Sequence, residues 1–311
     1  MLVTILGNSA GGPFHGRFYT AQALQVDNQV FLIDCGEGTQ MQLFRYRVRF
    51  DRCNHIFISH LHGDHVYGLM GLLTGWCLKK RTAPLHIFSP PGLRELIETT
   101  ARVCRVIFPY SIEFHEVDAS VSQKIMENPQ VEVWTIPLNH RIETSGWLFR
   151  EKLKPRNMRP EKIEQYGIPH ALIPGIKAGA DFQVTDGPLI PNAELTLDPP
   201  NPLSYAFCSD TAFSPAVAEA VLGVDLLYHE ATFTQEQAAE AELAFHSTAA
   251  QAAEIARMAN VKGLLIGHFS GRYSDTVTLL AEARAIFPDT WVAEEGWQWD
   301  AASVQTPILP V

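Results

Sequence analysis

The sequence has no uninterrupted apolar run near the roughly eighteen residues that a membrane-spanning helix needs. Its first residues, Met1-Leu-Val-Thr-Ile-Leu-Gly7, lead into a strand-like pattern without a basic start or a cleavage site. Membrane insertion and secretion are therefore not expected, and the reading is cytoplasmic. Cysteine is sparse: Cys35, Cys53, Cys77, Cys104 and Cys208 are odd in number, scattered and free of any C-x-x-C pair. That argues against a disulfide framework and a thiolate zinc site, and buried, reduced thiols are the expectation. Positive charge is also short, with a formal net charge of -10. A surface of that sign does not bind nucleic acid nonspecifically, because affinity for phosphate backbones is dominated by cationic contacts. Low-complexity tracts and sequence-level repeats are missing too.

What is present is enough for a large core: 311 residues, 46% of them hydrophobic, suit one big domain or two modest ones. Strand-like runs fall at Leu2 to Leu6, Ala23 to Val26, Val30 to Ile33, His55 to Ile58 and Leu85 to Phe88, and again at Tyr205 to Cys208, Leu226 to His229 and Gly263 to Gly267. Helical patterns cover Val66 to Lys80 and Gly92 to Cys104, the latter just after Pro90-Pro91, and later Pro215 to Leu222, Thr248 to Asn260 and Asp275 to Ile286. Strands and helices interleave in both halves. This predicts an α/β fold of two packed sheets with helices outside, a four-layer αββα sandwich forming a single domain over 1–311.

One segment departs from the rhythm. Between about 150 and 202 the chain is rich in Pro and Gly and reads as an inserted, projecting arm with little core of its own. It opens on Arg150-Glu-Lys-Leu-Lys-Pro-Arg-Asn-Met-Arg-Pro-Glu-Lys162, with six Lys or Arg against two Glu. The ordinary reading of such a run is a solvated loop. The functional one is a grip on a polyanion by Arg150, Lys152, Lys154, Arg156 and Arg159. A smaller cluster, Arg45, Arg47, Arg49 and Arg52, alternates with apolar residues like the outer face of a strand.

The densest chemistry is Ser59-His-Leu-His-Gly-Asp-His65, directly after an apolar run. His60 and His62 lie two residues apart and can converge on one ion, while Gly63 permits a turn that carries Asp64 and His65 to a second. A lone His is more often a satisfied core residue than a ligand. Three His and one Asp within six residues have no such inexpensive explanation. Further ligands are expected at later strand ends: His140 follows the strand-like Val131-Glu-Val-Trp-Thr-Ile136, Asp210 follows Tyr205-Ala-Phe-Cys-Ser209 and His268 follows Leu264-Leu-Ile-Gly267. Singly each has a capping or loop alternative; together they complete a dinuclear site.

These residues resemble the metallo-β-lactamase superfamily, whose signature is His-x-His-x-Asp-His followed by separated His, Asp and His. The resemblance implies that His60, His62 and His140 hold one zinc, that Asp64, His65 and His268 hold another, and that Asp210 bridges them, with manganese as the alternative metal. Asp34, in Phe31-Leu-Ile-Asp-Cys-Gly-Glu-Gly38, matches the early Asp of the superfamily, which orients a ligand loop. More specific features, His229-Glu-Ala-Thr232, His246-Ser-Thr248 and Gly267-His-Phe-Ser-Gly-Arg-Tyr273, resemble ribonuclease Z, the endonucleases that remove the 3′ trailer of precursor transfer RNA. That resemblance implies a homodimer, an RNA-gripping arm between His140 and Asp210, and a Glu230–His246 pair that protonates the departing 3′ oxygen. Asp64 is placed to bind metal and to orient or deprotonate the attacking water. His246 has a helix-start alternative, and His229 is left open between core and function. Ser270, Arg272 and Tyr273 follow a ligand and are candidates for binding phosphate.

Two departures stand out. The first loop is Gly7-Asn-Ser-Ala-Gly-Gly-Pro13 rather than a Gly-Thr-Gly type, and the arm carries Gly167-Ile-Pro-His-Ala-Leu-Ile-Pro-Gly175 without a Gly-Pro pair. The alternatives are a small-molecule zinc phosphodiesterase or ester hydrolase with the same metals, and a noncatalytic RNA-binding relative, which is disfavoured because every expected ligand position is filled.

Overall fold

The computed structural model describes residues 1–300. Two seven-stranded sheets dominate it. The first contains β1 (Leu2–Gly7), β2 (Ala21–Val26), β3 (Gln29–Ile33), β4 (Cys53–Phe57), β5 (Leu85–Ser89) and β6 (Ile112–Glu116). Chain order then continues with β7 (Lys124–Glu127), β8 (Val131–Pro137) and β9 (Ser145–Glu151) of the second sheet. Four two-residue strands follow, β10 (Asn157–Met158), β11 (Phe182–Gln183), β12 (Leu189–Ile190) and β13 (Thr196–Leu197). The second sheet resumes with β14 (Ser204–Cys208), β15 (Leu226–Glu230), β16 (Leu264–Gly267) and β17 (Thr290–Val292), and β18 (Gln298–Asp300) returns to pair with β1. The sheet orders are β18-β1-β2-β3-β4-β5-β6 and β17-β16-β15-β14-β9-β8-β7. Each sheet has a parallel half, β3 to β6 and β14 to β17.

Alternation along the strands sorts the residues into layers. Phe31 and Ile33 of β3, Tyr205 and Phe207 of β14, and Leu226 and Tyr228 of β15 join Phe57, Trp147, Phe149 and Trp299 in a core between the sheets. Their neighbours point the other way. Val30 and Leu32 pack on Leu43, Leu69, Leu72, Leu73 and Ile97 from helices Thr39–Arg45, Leu69–Leu78 and Leu93–Cys104. Ala206, Cys208 and Leu227 pack on helices Pro215–Ala220, Ala249–Met258 and Val277–Ile286. Strands apolar on both faces read as the short continuous runs seen in the sequence. Burying one such side chain fully stabilises the fold by roughly 1.5–3 kcal/mol. The four-layer αββα sandwich is thus the observed fold.

Several expectations need correction. The helix expected over Val66 to Lys80 is two pieces, Gly63–Val66 and Leu69–Leu78. Gly68 lies between them with its amide on the Cys35 carbonyl, and a Cβ there would sit 2.0 Å from the Gly36 carbonyl oxygen. The Arg45 to Arg52 cluster is not a strand face; Arg45 ends a helix and Arg52 ends a 3-10 turn, Phe50–Arg52. All five cysteines are free thiols, but Cys104 is exposed and Cys77 only partly covered. Strands β6, β7, β9, β17 and β18 and helices Thr39–Arg45 and Ala238–Ala244 were not expected.

The described chain divides into two compact units, Met1–Arg150 with Leu203 onward, and Glu151–Pro202. The smaller unit, expected to have little core, buries Ile168, Ile176, Phe182, Ile190 and Leu195 together. Two short antiparallel ladders, β10 with β13 and β11 with β12, frame three short helices, Pro160–Tyr166, Ile173–Lys177 and Asn192–Leu195. Gly167 caps the first in the left-handed region at φ 59°, and the second begins at Ile173-Pro174, so the turn formers of Gly167 to Gly175 end one helix and start the next. Two of its cations are matched by carboxylates: Arg156 bonds Asp198 as well as Thr196, and Lys162 pairs with Glu194. Arg159 reaches the Thr196 carbonyl, so Arg156 and Arg159 of the expected basic grip help to hold the unit together.

Candidate metal centre and active site

The parallel strands deliver their chemistry from their C-terminal ends. β3 runs into Asp34, which adopts φ 55°; β4 runs through Ile58 to Ser59 and His60; β14 runs through Ser209 to Asp210; β15 ends on Glu230; and β16 is followed by His268 at φ 60°. His60, His65, Asp210 and His268 are all buried.

Protons fix which ring nitrogens face inward. Ser59 Oγ donates to Asp34 Oδ2 at 2.8 Å, so its one proton is spent and it accepts from His60 Nδ1 at 3.0 Å. His65 Nδ1 donates to the same Asp34 oxygen at 2.7 Å, and Asp34 Oδ1 accepts the Ser59 amide at 2.7 Å. His140 Nδ1 donates to the Phe245 carbonyl at 2.9 Å. Thr232 Oγ1 donates to Glu230 Oε2 at 2.6 Å and accepts from His268 Nδ1 at 3.0 Å. Each of these four imidazoles therefore commits Nδ1 outward and turns Nε2 into the cleft.

The inward atoms form two groups. His60 Nε2 and His140 Nε2 lie 3.0 and 3.3 Å from His62 Nδ1, and both are near Asp210 Oδ2, at 3.6 and 3.7 Å. His65 Nε2 and His268 Nε2 are 3.3 Å apart, near Asp210 Oδ1 at 3.3 and 3.1 Å and Asp64 Oδ2 at 3.7 and 3.6 Å. Asp210 thus offers one oxygen to each group. Imidazole nitrogens and carboxylate oxygens gathered this closely are a donor set that divalent cations in both places would satisfy. The donor set, imidazole and carboxylate, suits zinc or manganese.

Charge distribution agrees with that fit. Burial lowers His60 well below the ordinary histidine value, with His65 adding to the effect. Burial is also the main cause of the lowered values of His62 and His140, which leaves these rings in the neutral, metal-binding form. At His65 burial is outweighed by Asp210, Asp34 and Asp64, which raise its value well above the ordinary one. That end of the cleft is built to hold positive charge.

Beside this cluster, Glu230 is fully buried and accepts from the Thr211 amide at 2.9 Å, the Thr232 amide at 3.1 Å and His246 Nδ1 at 2.7 Å. Burial alone would lower the His246 pKa, but Glu230 raises it to about 9. Glu230 thus favours the imidazolium form of the ring. His246 lines a cleft of about 300 Å³ together with His62, Asp64, His140, Arg141, Asp210, His268 and Ser270. Gly11, on the opposite wall, donates its amide to Asp64 Oδ2 at 2.8 Å.

The chain as a whole is similar to known proteins. A family model described as anti-Pycsar protein Apyc1 matches residues 1–101. Ribonuclease Z of Bacteroides fragilis is 46% identical over 291 residues, covering 94% of this chain and 96% of that protein. Ribonuclease Z of Porphyromonas gingivalis is 44% identical over 298 residues, covering 96% and 98%. The chain belongs to the ribonuclease Z family. Among solved structures, the short form of human tRNase Z superposes with a TM-score of 0.70 at 26% identity, covering 97% of this chain and 99% of that one. The metallo-β-lactamase fold protein YhfI of Bacillus subtilis gives 0.69 at 18% identity, covering 96% and 98%, a likeness of fold.

This ribonuclease Z family member is accordingly a metal-dependent hydrolase of the metallo-β-lactamase fold. Its structure gathers His60, His62, Asp64, His65, His140, Asp210 and His268, with Asp34 behind His65 and Glu230 behind His246. Other candidates are not brought in. Arg272 bonds Gln237 and Glu240 and lies over the Phe233 ring, and the Tyr273 hydroxyl accepts the Thr234 amide at 3.0 Å, so of the proposed phosphate binders only Ser270 faces the cleft. His229 is buried with Nδ1 on the Glu230 carbonyl at 2.7 Å, away from the cleft lining. Not anticipated were Arg141, which follows His140 in the chain and lines the cleft, and the hydrogen-bond relays through Ser59 and Thr232, whose only signal was adjacency to the motif residues.

Proposed function

We propose that this protein hydrolyses a phosphodiester of precursor transfer RNA to release the 3′ trailer. The observation that carries the reading is Asp210, one oxygen toward each of two imidazole groups, beside a Glu230-held imidazolium. In this reading His60, His62 and His140 hold one divalent ion, Asp64, His65 and His268 the other, and Asp210 stands between; zinc fits best and manganese is the alternative. Ions held there supply Lewis acidity toward the phosphate and toward water. Asp64, fixed by the Gly11 amide, orients the attacking water and takes its proton. As the bond from phosphorus to the 3′ oxygen breaks, His246 gives that oxygen a proton from Nε2, and Glu230 stabilises the imidazolium until then. Arg141 and Ser270, which line the cleft, contact phosphate in this reading. Residues 150–202 act as an RNA-binding arm in a homodimer, and the work is done in the cytoplasm. No helix among the described residues is long and apolar enough to cross a membrane.

The test is single-turnover cleavage of a labelled precursor transfer RNA carrying a 3′ trailer. A cut near the end of the acceptor stem is expected, slowed by about 10²–10⁴-fold in His246→Ala, the usual worth of a general acid. A second reading, a small-molecule phosphodiesterase, is supported by the internal pairing of Arg156 and Lys162. Intact RNA alongside hydrolysis of a small chromogenic diester would favour it.

A further inference from the structure

A second group of metal-binding side chains lies at the free edge of the first sheet, outside the cleft. His86 on β5 and Glu113 on β6 are register partners, as are Phe88 and His115. His86 Nδ1 is 3.1 Å from His115 Nε2 and 3.3 Å from Glu113 Oε2, and the three donor atoms lie within 4.8 Å of one another. None of the three takes part in the mechanism above.

The surroundings hold these rings in place. His55 of β4 stacks on His86 with centroids 5.2 Å apart, and His115 stacks on Phe88 at 4.4 Å. Phe88 belongs to the core between the sheets, so the imidazoles stand at the rim of that layer, where apolar residues would ordinarily continue. β6 is the last strand of its sheet, and the side chains of His86 and Glu113 are 30% and 51% exposed, which leaves an entry path for an ion.

His86 Nδ1 faces both His115 Nε2 and Glu113 Oε2, so a single proton on it has to be shared between the two contacts. A second proton, on His115 Nε2, would set N–H against N–H, and burial together with the neighbouring His86 lowers His115 below the ordinary value. A divalent cation satisfies all three atoms at once. Two imidazoles and one carboxylate are a common zinc donor set, and they leave a coordination position open to solvent.

We propose that His86, Glu113 and His115 form an additional binding site for a divalent transition-metal ion, zinc above all, which clamps β6 to β5. The experiment is a stoichiometric Zn²⁺ titration of the metal-stripped full-length protein against a chromogenic chelator, comparing wild type with His86→Gln/His115→Gln. The variant is expected to bind one equivalent fewer while keeping its hydrolytic activity when reloaded, because the cleft is untouched. Should the double variant fold poorly, Glu113→Gln at an exposed position serves instead. It is expected to weaken the extra site by at least about tenfold, since even the outer partners of metal ligands are worth that much. Equal stoichiometry and equal affinities in wild type and both variants would overturn the proposal.

Discussion

Ser59 and Thr232 each own a single hydroxyl proton, and each gives it to a carboxylate, Asp34 and Glu230 respectively. Both hydroxyls are thereby made acceptors, which forces His60 and His268 to present Nε2 to the cleft. Thr232→Val keeps the shape but removes the acceptor. It is expected to weaken metal binding by about 10- to 100-fold, read by chelator competition, and to lower the melting temperature of the metal-free protein because buried Glu230 loses a donor. The proton on His246 sets the pH dependence. Its folded value of about 9 lies above the ordinary 6.5, so the stability and the acid form it contributes are fully present below 6.5 and lost as pH rises through about 9. Cleavage should therefore show a descending alkaline limb, at about 9 or lower where bound cations repel the imidazolium. A His246→Gln profile that kept the same limb would rule out His246 as its source.

At the scale of elements, the site depends on how closely the turn after β3 meets the start of the helical region at Gly63. Gly36 is so tightly held that a Cβ would lie 2.4 Å from the Asp64 carbonyl oxygen, and Gly68 meets Gly36 in turn. Gly68→Ala must push this turn, and Asp34 with it, away from His65. A loss of about 1–3 kcal/mol is expected from overpacking, measured by denaturant midpoint, together with weaker metal binding. An unchanged midpoint would mean that the turn yields freely. Legibility differed by element. Helix Ala249–Met258 was readable because Thr248 and Gln251 form a capping box, and β14 to β16 because both faces are apolar. By contrast β6 alternates, Ile112 and Phe114 against Glu113 and His115, but over only four residues and with neither face fully buried, and Lys124–Glu127 is too short and too charged to stand out.

For the whole molecule, Arg150 and Ser204 are partners in the β9–β14 ladder, so the chain leaves and re-enters the sandwich at adjacent points. A short linker replacing Glu151–Pro202 should leave the sandwich folded and active on a small diester. Loss of precursor transfer RNA cleavage in that variant would assign recognition to the smaller unit; full retention would remove it from the mechanism. By itself, the sequence determined the layered α/β class, through strands apolar on both faces, and the seven metal-binding candidates, through the density of one motif and the strand ends that follow it. Local spacing suffices there because strand ends in a parallel sheet converge on one edge. Only the tertiary structure decided that Arg272 and Tyr273 turn from the cleft, that the arm pairs Arg156 and Lys162 with its own carboxylates around a small core, and that His86, Glu113 and His115 meet. Those outcomes depend on partners dozens of residues away, and the pairing of distant charges and strands leaves no periodic trace in the chain.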